Sequence, residues 1–97
     1  MTIYCVAQAK NINKDALKKY REHAPTALKK HGGALVISTT NLTALEGTTD
    51  HNDAIIILTF PTEEAALNWR HDKELAHVHE LRNCAADWTI QVLGAAA

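Results

Sequence analysis

The sequence predicts an α+β fold in which strands and helices follow in the order β-α-β-β-α-β around a four-stranded antiparallel sheet. Three observations carry this expectation. Apolar residues recur at helical spacing from Leu17 to Leu28 and stop at His31-Gly32-Gly33. Two strand-like segments, 34–40 and 54–60, then follow each other with no helical pattern between them. A second helical region lies between Pro61 and Cys84, and one more strand-like segment, 86–93, comes after it.

Residues 2–9 read as the first strand, because Ile3, Val6 and the compact Cys5 and Ala7 leave little polar surface on either side. Asn13 is placed to cap a helix, its side-chain oxygen meeting a free backbone N–H of the first turn. Leu17, Tyr20, Ala24 and Leu28 share one side of that helix, while Lys18, Lys19, Arg21 and Glu22 fall elsewhere on the wheel. Pro25 removes a backbone donor inside it, which predicts a kink or a restart there. Gly32 is suited to the left-handed conformation of a helix stop, and Gly33 to a direct turn into the next strand.

Residues 34–40 form the second strand, with Leu42–Glu46 expected to extend it before Gly47, and the polar stretch 48–53 is a turn. The third strand, 54–60 (AIIILTF), is apolar at nearly every position, which a sheet with one face in water does not need. Pro61 stops it and Thr62 caps a helix with Glu63 and Glu64 in its first turn. That helix ends near Arg70. Asp72 caps a further helix that carries Leu75, Val78, Leu81 and Arg82 on one side and ends near Cys84. Residues 86–93 complete the sheet.

This order is that of the split βαβ, or ferredoxin-like, plan, in which the first and third strands are central. Helices cover one face of such a sheet. The apolar residues on the other face of 54–60 therefore call for a second sheet, which a face-to-face homodimer supplies.

The 97 residues make a single domain, 1–97, and at 46% hydrophobic and 22% charged they exclude a disordered chain. A domain of this size buries only about 60–70% of the surface of its unfolded chain, a further reason to expect a partner copy. The N-terminus has no basic stretch leading into a long apolar one, and no apolar run approaches the roughly 18 residues of a membrane span. The expectation is a cytoplasmic protein with no membrane partner. The two cysteines, Cys5 and Cys84, are far apart and are expected as free buried thiols. Residues 1–40 carry a charge balance of +5 and residues 41–97 one of −6. Basic and acidic segments packed side by side account for that asymmetry without a nucleic-acid partner.

Six histidines invite a metal reading, but His77 and His79 stand two apart, about 200° around a helix, and no HxxxH pair exists. No metal is expected. Neither a GxGxxG nor a Walker loop is present, so no cofactor is expected either. Arg82 is more informative, because its stem runs on the core side of its helix and a buried guanidinium demands a partner. One reading is an internal ion pair with Glu46, in the apolar segment Ala44-Leu45-Glu46-Gly47; the other is an anion-binding residue at a pocket rim. Tyr20 and Trp69 fall on the apolar sides of their helices, yet each carries a polar handle. Together with Arg82 and Glu46 they make the candidate ligand-binding set, a small apolar cleft with convergent polar groups. No nucleophile has an evident base, so no catalytic residue is assigned.

Tyr20, His31-Gly32-Gly33, Leu45-Glu46-Gly47, Ile56–Pro61, Ala65-Ala66, Trp69 and Arg82, in this order and spacing across the whole chain, resemble the family called domain of unknown function 1330. That family belongs to the dimeric α/β-barrel superfamily, in which two ferredoxin-like sheets join into one barrel. The resemblance implies the homodimer and no established reaction, since the superfamily holds oxygenases, haem enzymes, isomerases and binders alike. The chain departs from the family pattern at Thr59, where an acid is usual, at Arg70, where an aromatic is usual, and at Leu75, where a tyrosine is usual. Three functions follow as expectations: a homodimer binding a small organic or anionic ligand, a cofactor-free enzyme of oxygenase or isomerase type, and a non-enzymatic interaction module.

Overall fold

The computed structural model describes residues 2–94; Met1 and the alanine tail 95–97 lie outside the described residues. Strand β1 (Ile3–Lys10) leads to helix α1 (Lys14–Lys30), strand β2 (Ala34–Thr39) and strand β3 (Ala54–Phe60). Helix α2 (Glu63–His71), a 3₁₀ turn at Lys73–Leu75, helix α3 (Ala76–Ala85) and strand β4 (Asp87–Leu93) follow. The sheet order is β2-β3-β1-β4 with every pair antiparallel, so the two central strands are the first and third, as the sequence pattern required.

Local chemistry sets each boundary. Asn13 Oδ1 accepts the Ala16 N–H at 3.0 Å and starts α1; Thr62 Oγ1 does the same for Ala65 at 3.0 Å and starts α2. Helix α1 ends at Gly32, with φ 74°, where Gly32 N–H donates to the Lys29 carbonyl at 3.1 Å and Gly33 N–H to the Leu28 carbonyl at 2.8 Å. These paired bonds satisfy two carbonyls that a bare helix end would leave open.

Two expectations about element limits are corrected. Helix α1 is continuous through Pro25, with no restart. The proline deprives only the Arg21 carbonyl of its intrahelical donor, and the loss of one bond does not interrupt a helix of 17 residues. The extension of the second strand over Leu42–Glu46 does not form, and residues 40–53 are a loop with Leu45 fully exposed. Within it the Thr39 and Thr48 hydroxyls accept the N–H groups of Asn41 and Asp50, at 3.0 and 3.1 Å, and such local bonds compete with a ladder.

The domain is a two-layer slab with principal extents of 38 × 36 × 17 Å. Cys5, Ala7, Ala9, Ala54, Leu58 and Phe60 face the helices and are buried. The main core joins Cys5, Leu28, Leu58, Phe60, Ala66, Trp69, Leu75 and Val78, with the Phe60 and Trp69 rings 5.6 Å apart. The other face of the sheet presents Tyr4, Val6, Ile37, Ile55, Ile57 and Leu93, as the strand alternation and register require. Both cysteines are free, Cys5 buried but Cys84 exposed, which corrects the expectation of two buried thiols.

The charge asymmetry of the sequence becomes contacts across the fold. Lys30 Nζ lies 2.7 Å from both Asp72 and Glu74, His31 Nε2 lies 2.8 Å from Asp72, and Lys10 pairs with Asp53 at 3.2 Å. Every ion pair among the described residues joins the basic first part of the chain to the acidic second part. Asp72 also accepts the Glu74 N–H at 2.9 Å, so one carboxylate caps the 3₁₀ turn and ties it to the end of α1. The lysine and histidine beside it hold that carboxyl well below the usual carboxylate range.

Candidate functional site

A cavity of about 430 Å³ lies between α1 and the sheet. Its roof is the apolar side of α1, namely Leu17, Tyr20, Ala24, Pro25 and Leu28. Its floor is Ala9, Ala54, Ile56 and Leu58 of the central strands with Leu35 and Ser38 of β2, and Ile12 and Trp88 line it as well. The cavity exists because alanines on the sheet oppose an alanine and a proline on the helix, too little side-chain volume to fill the gap. Arg21 and Lys29, both on the exposed side of α1, are the charged residues of the lining, and no carboxylate is among them.

Behind Tyr20 lies a buried polar network. Arg82 is 3% exposed and His79 4% exposed, the two buried charged or polar side chains of the described residues. Arg82 Nη1 donates to His79 Nδ1 at 2.6 Å, and because a guanidinium only donates, Nδ1 must be the accepting nitrogen. The His79 proton is therefore on Nε2, which donates to the Trp69 carbonyl at 2.8 Å. Trp69 supports both groups: its ring meets His79 edge-on at 4.8 Å, and the Arg82 guanidinium carbon is 5.4 Å from its centroid. The Trp88 indole N–H donates to the Arg82 carbonyl at 2.8 Å, and its ring is 6.4 Å from that of Tyr20.

Burial pushes the Tyr20 hydroxyl above its ordinary pKa, and the neighbouring Arg82 charge opposes that rise. Burial likewise pulls Arg82 and His79 below their ordinary values, so the imidazole in this network is neutral. No carboxylate pairs with Arg82 among the described residues, and its Nε has no protein partner; the Trp69 indole nitrogen is also unpartnered.

The fold thus brings together three of the four residues singled out from the sequence. Tyr20 lines the cavity, Arg82 is beside Tyr20 but buried behind the wall, and Trp69 is in the core under Arg82. Glu46 is exposed on the loop 40–53, which corrects the expected Arg82–Glu46 ion pair: the segment that would have carried it inward does not form a strand. Two participants escaped the sequence reading. His79 completes the Leu75, Val78, Arg82 stripe at helical spacing, and Trp88 alternates with Ile90 and Val92 on the inner face of β4. Both signals were periodic and would have been found by extending the stripe to polar and aromatic residues.

The class defined by this geometry is a ferredoxin-like α+β domain with an apolar cleft between its first helix and the sheet. The chain belongs to the family described as domain of unknown function (DUF1330), whose model matches residues 2–96. No curated protein matches the chain. Among solved structures it is similar to the RPA0582 protein of unknown function from Rhodopseudomonas palustris, at TM-score 0.76 and 18% identity, covering 99% of this chain and 83% of that one. A dimeric ferredoxin-like protein of unknown function from Jannaschia sp. CCS1 aligns at TM-score 0.64 and 10% identity over 98% of this chain and all of that one. SnoaB, a cofactor-independent oxygenase from Streptomyces nogalater, aligns at TM-score 0.65 and 7% identity over 99% and 93%. At these identities the likeness is one of fold. Among the described residues, no helix is long and apolar enough to cross a membrane.

Proposed function

We propose that the protein is a homodimer that binds a small organic molecule in the cavity between α1 and the sheet, one site per chain. The observation that carries this reading is the cavity: about 430 Å³, apolar on most sides, with the Tyr20 hydroxyl set against a buried guanidinium. That volume lies within the roughly 300–1,000 Å³ of small-molecule sites, and an apolar lining with a few placed polar groups is their usual chemistry. Tyr20 and Trp88 serve as walls, Arg82 sets the electrostatics of the Tyr20 hydroxyl, and Trp69 holds Arg82 in place. The homodimer rests on the apolar outer sheet face, where Tyr4, Ile37 and Leu93 are each about half exposed.

Two neutral aromatic probes, indole and 3-phenylpropanamide, test the cavity. Binding is expected to shift the NMR resonances of the Trp88 indole N–H and of the Ala24 and Ala54 methyl groups. The Ala24→Phe substitution, which fills the cavity from its roof, is expected to abolish those shifts while the fold persists. Absence of any shift with both probes, or undiminished binding to a folded Ala24→Phe protein, overturns the reading.

A further inference from the structure

The charges around the cavity are of one sign. Arg21 and Lys29 stand in its lining, Arg82 stands behind Tyr20, and no aspartate or glutamate lines it. The three cations differ in strength. Arg21 and Lys29 are exposed, where water and salt screen them. Arg82 is buried, and a charge interaction at an effective dielectric of about 20 is about four times as strong as in water at about 80. Among the described residues Arg82 has no carboxylate partner: its Nη1 donates to neutral His79, the Tyr20 hydroxyl stands beside it, and its Nε is unpartnered. The cavity comes closest to this charge at its Tyr20 wall, and the phenolic O–H there is a donor.

We propose that the ligand of this cavity is a small monocarboxylate with an aromatic or branched aliphatic body, its carboxylate accepting the Tyr20 O–H on the side backed by Arg82. The proposal rests on the cavity being a ligand site and adds the class of ligand and the end at which it is read. The apolar body fits against Ala24, Leu28, Ile56, Leu58 and Trp88, none of which offers a charge. Ionised ligand oxygens gain from a charge-assisted hydrogen bond, whereas an amide of the same shape does not. Arg21 and Lys29 then act at entry, raising the local concentration of anions without deciding which end goes in. Arg82 is a positioning residue in this scheme, acting through Tyr20.

Calorimetric titration of the full chain with 3-phenylpropanoate and with 3-phenylpropanamide near pH 7.5 tests the idea, since the two differ mainly in charge. The carboxylate is expected to bind at least about ten-fold more tightly, the range of a hydrogen bond to a charged group. In Tyr20→Phe the preference is expected to fall below about three-fold with amide binding retained, because the ring stays and the donor goes. In the double variant Arg21→Gln/Lys29→Gln the preference is expected to survive, with a weaker salt dependence. Equal binding of acid and amide overturns the carboxylate proposal and leaves the cavity reading standing. Loss of the preference in the double variant but not in Tyr20→Phe also overturns it, by placing the carboxylate at the rim. Failure of both compounds to bind overturns the proposal together with the reading beneath it. The comparison in the unaltered protein stands whether or not the variants fold.

Discussion

At the scale of single residues, the protonation of His79 is constrained from both of its ring nitrogens. Its Nδ1 faces a guanidinium and its Nε2–H faces a carbonyl, so a second proton on the ring would point at Arg82 with nowhere to donate. Burial first, and the Arg82 charge with it, hold the native pKa below the ordinary 6.5. The unfolded chain therefore binds the proton at a pH where the native chain does not, and protonation favours unfolding. The contribution of the neutral ring is complete above pH 6.5 and is lost progressively as the pH falls below 6.5 toward the native value. The urea midpoint is expected to drop between about pH 7.5 and about pH 5.5. His79→Gln, whose amide supplies one acceptor and one donor without titrating, is expected to flatten the profile over that interval. An unchanged slope in the variant would show that the pH response arises elsewhere. The sequence held the clue to this residue in the spacing Leu75, Val78, His79, Arg82, but the histidine count drew attention to metal ligation and away from burial.

At the scale of elements, the junction of α1 with β2 leaves no room for a side chain at Gly33. A Cβ on Gly33 would stand 2.7 Å from Cε1 of Phe60 and 3.1 Å from the Leu28 carbonyl oxygen, against the roughly 3.5–4.0 Å at which carbon atoms pack. Phe60 is fully buried and fixed by Trp69, so its ring has no free space to take up the strain. Gly33→Ala is expected to cost about 1–3 kcal/mol in chemical denaturation with the fold retained, the usual range for overpacking. A cost near zero would mean that Phe60 moves. This junction, both side-chain helix caps and the strand order were legible in the sequence because each depends on local signals: Asn13, Thr62, Gly32 and the apolar run 54–60. The cavity was legible only in part. Tyr20, with its polar handle, is a candidate cleft wall from the sequence, but Leu17 reads as core by spacing, and only the meeting of Ala24 and Pro25 with Ala9 and Ala54, brought together by tertiary packing, leaves space beneath them. Glu46 was misplaced for a related reason. Its apolar neighbours Ala44 and Leu45 imitate a strand, whereas threonine hydroxyls on either side hold the segment as a loop.

At the scale of the whole molecule, a slab 17 Å thick has a helix layer on one side of the sheet, and among the described residues no element covers the other. The uncovered side carries Val6 beside Ile57, Ile57 beside Ile37, and Tyr4 beside Leu93, a contiguous apolar surface through the centre of the sheet. Its uncharged polar positions are Gln8, Thr39, Thr59, Thr89 and Gln91, and its charged register partners, Lys10 and Asp87, stand at one end of the strands, so pairing over the middle of the face desolvates no ion. Two sheets packed at the usual spacing of about 10 Å would bury these side chains on both copies. A stable pair needs roughly 800 Å² from each partner, an area that a sheet face of this breadth is able to supply. Sedimentation equilibrium at micromolar concentration is expected to give twice the chain mass. Ile37→Asp, which places a carboxylate on the outer face beside Ile57 and leaves the helix-facing core untouched, is expected to shift the equilibrium to monomer by more than about ten-fold, as an unpaired buried charge would demand. Retention of the helical circular-dichroism signal separates dissociation from unfolding. A wild-type chain that sediments as a monomer would overturn the homodimer, and the apolar outer face of β3 would then need a different occupant.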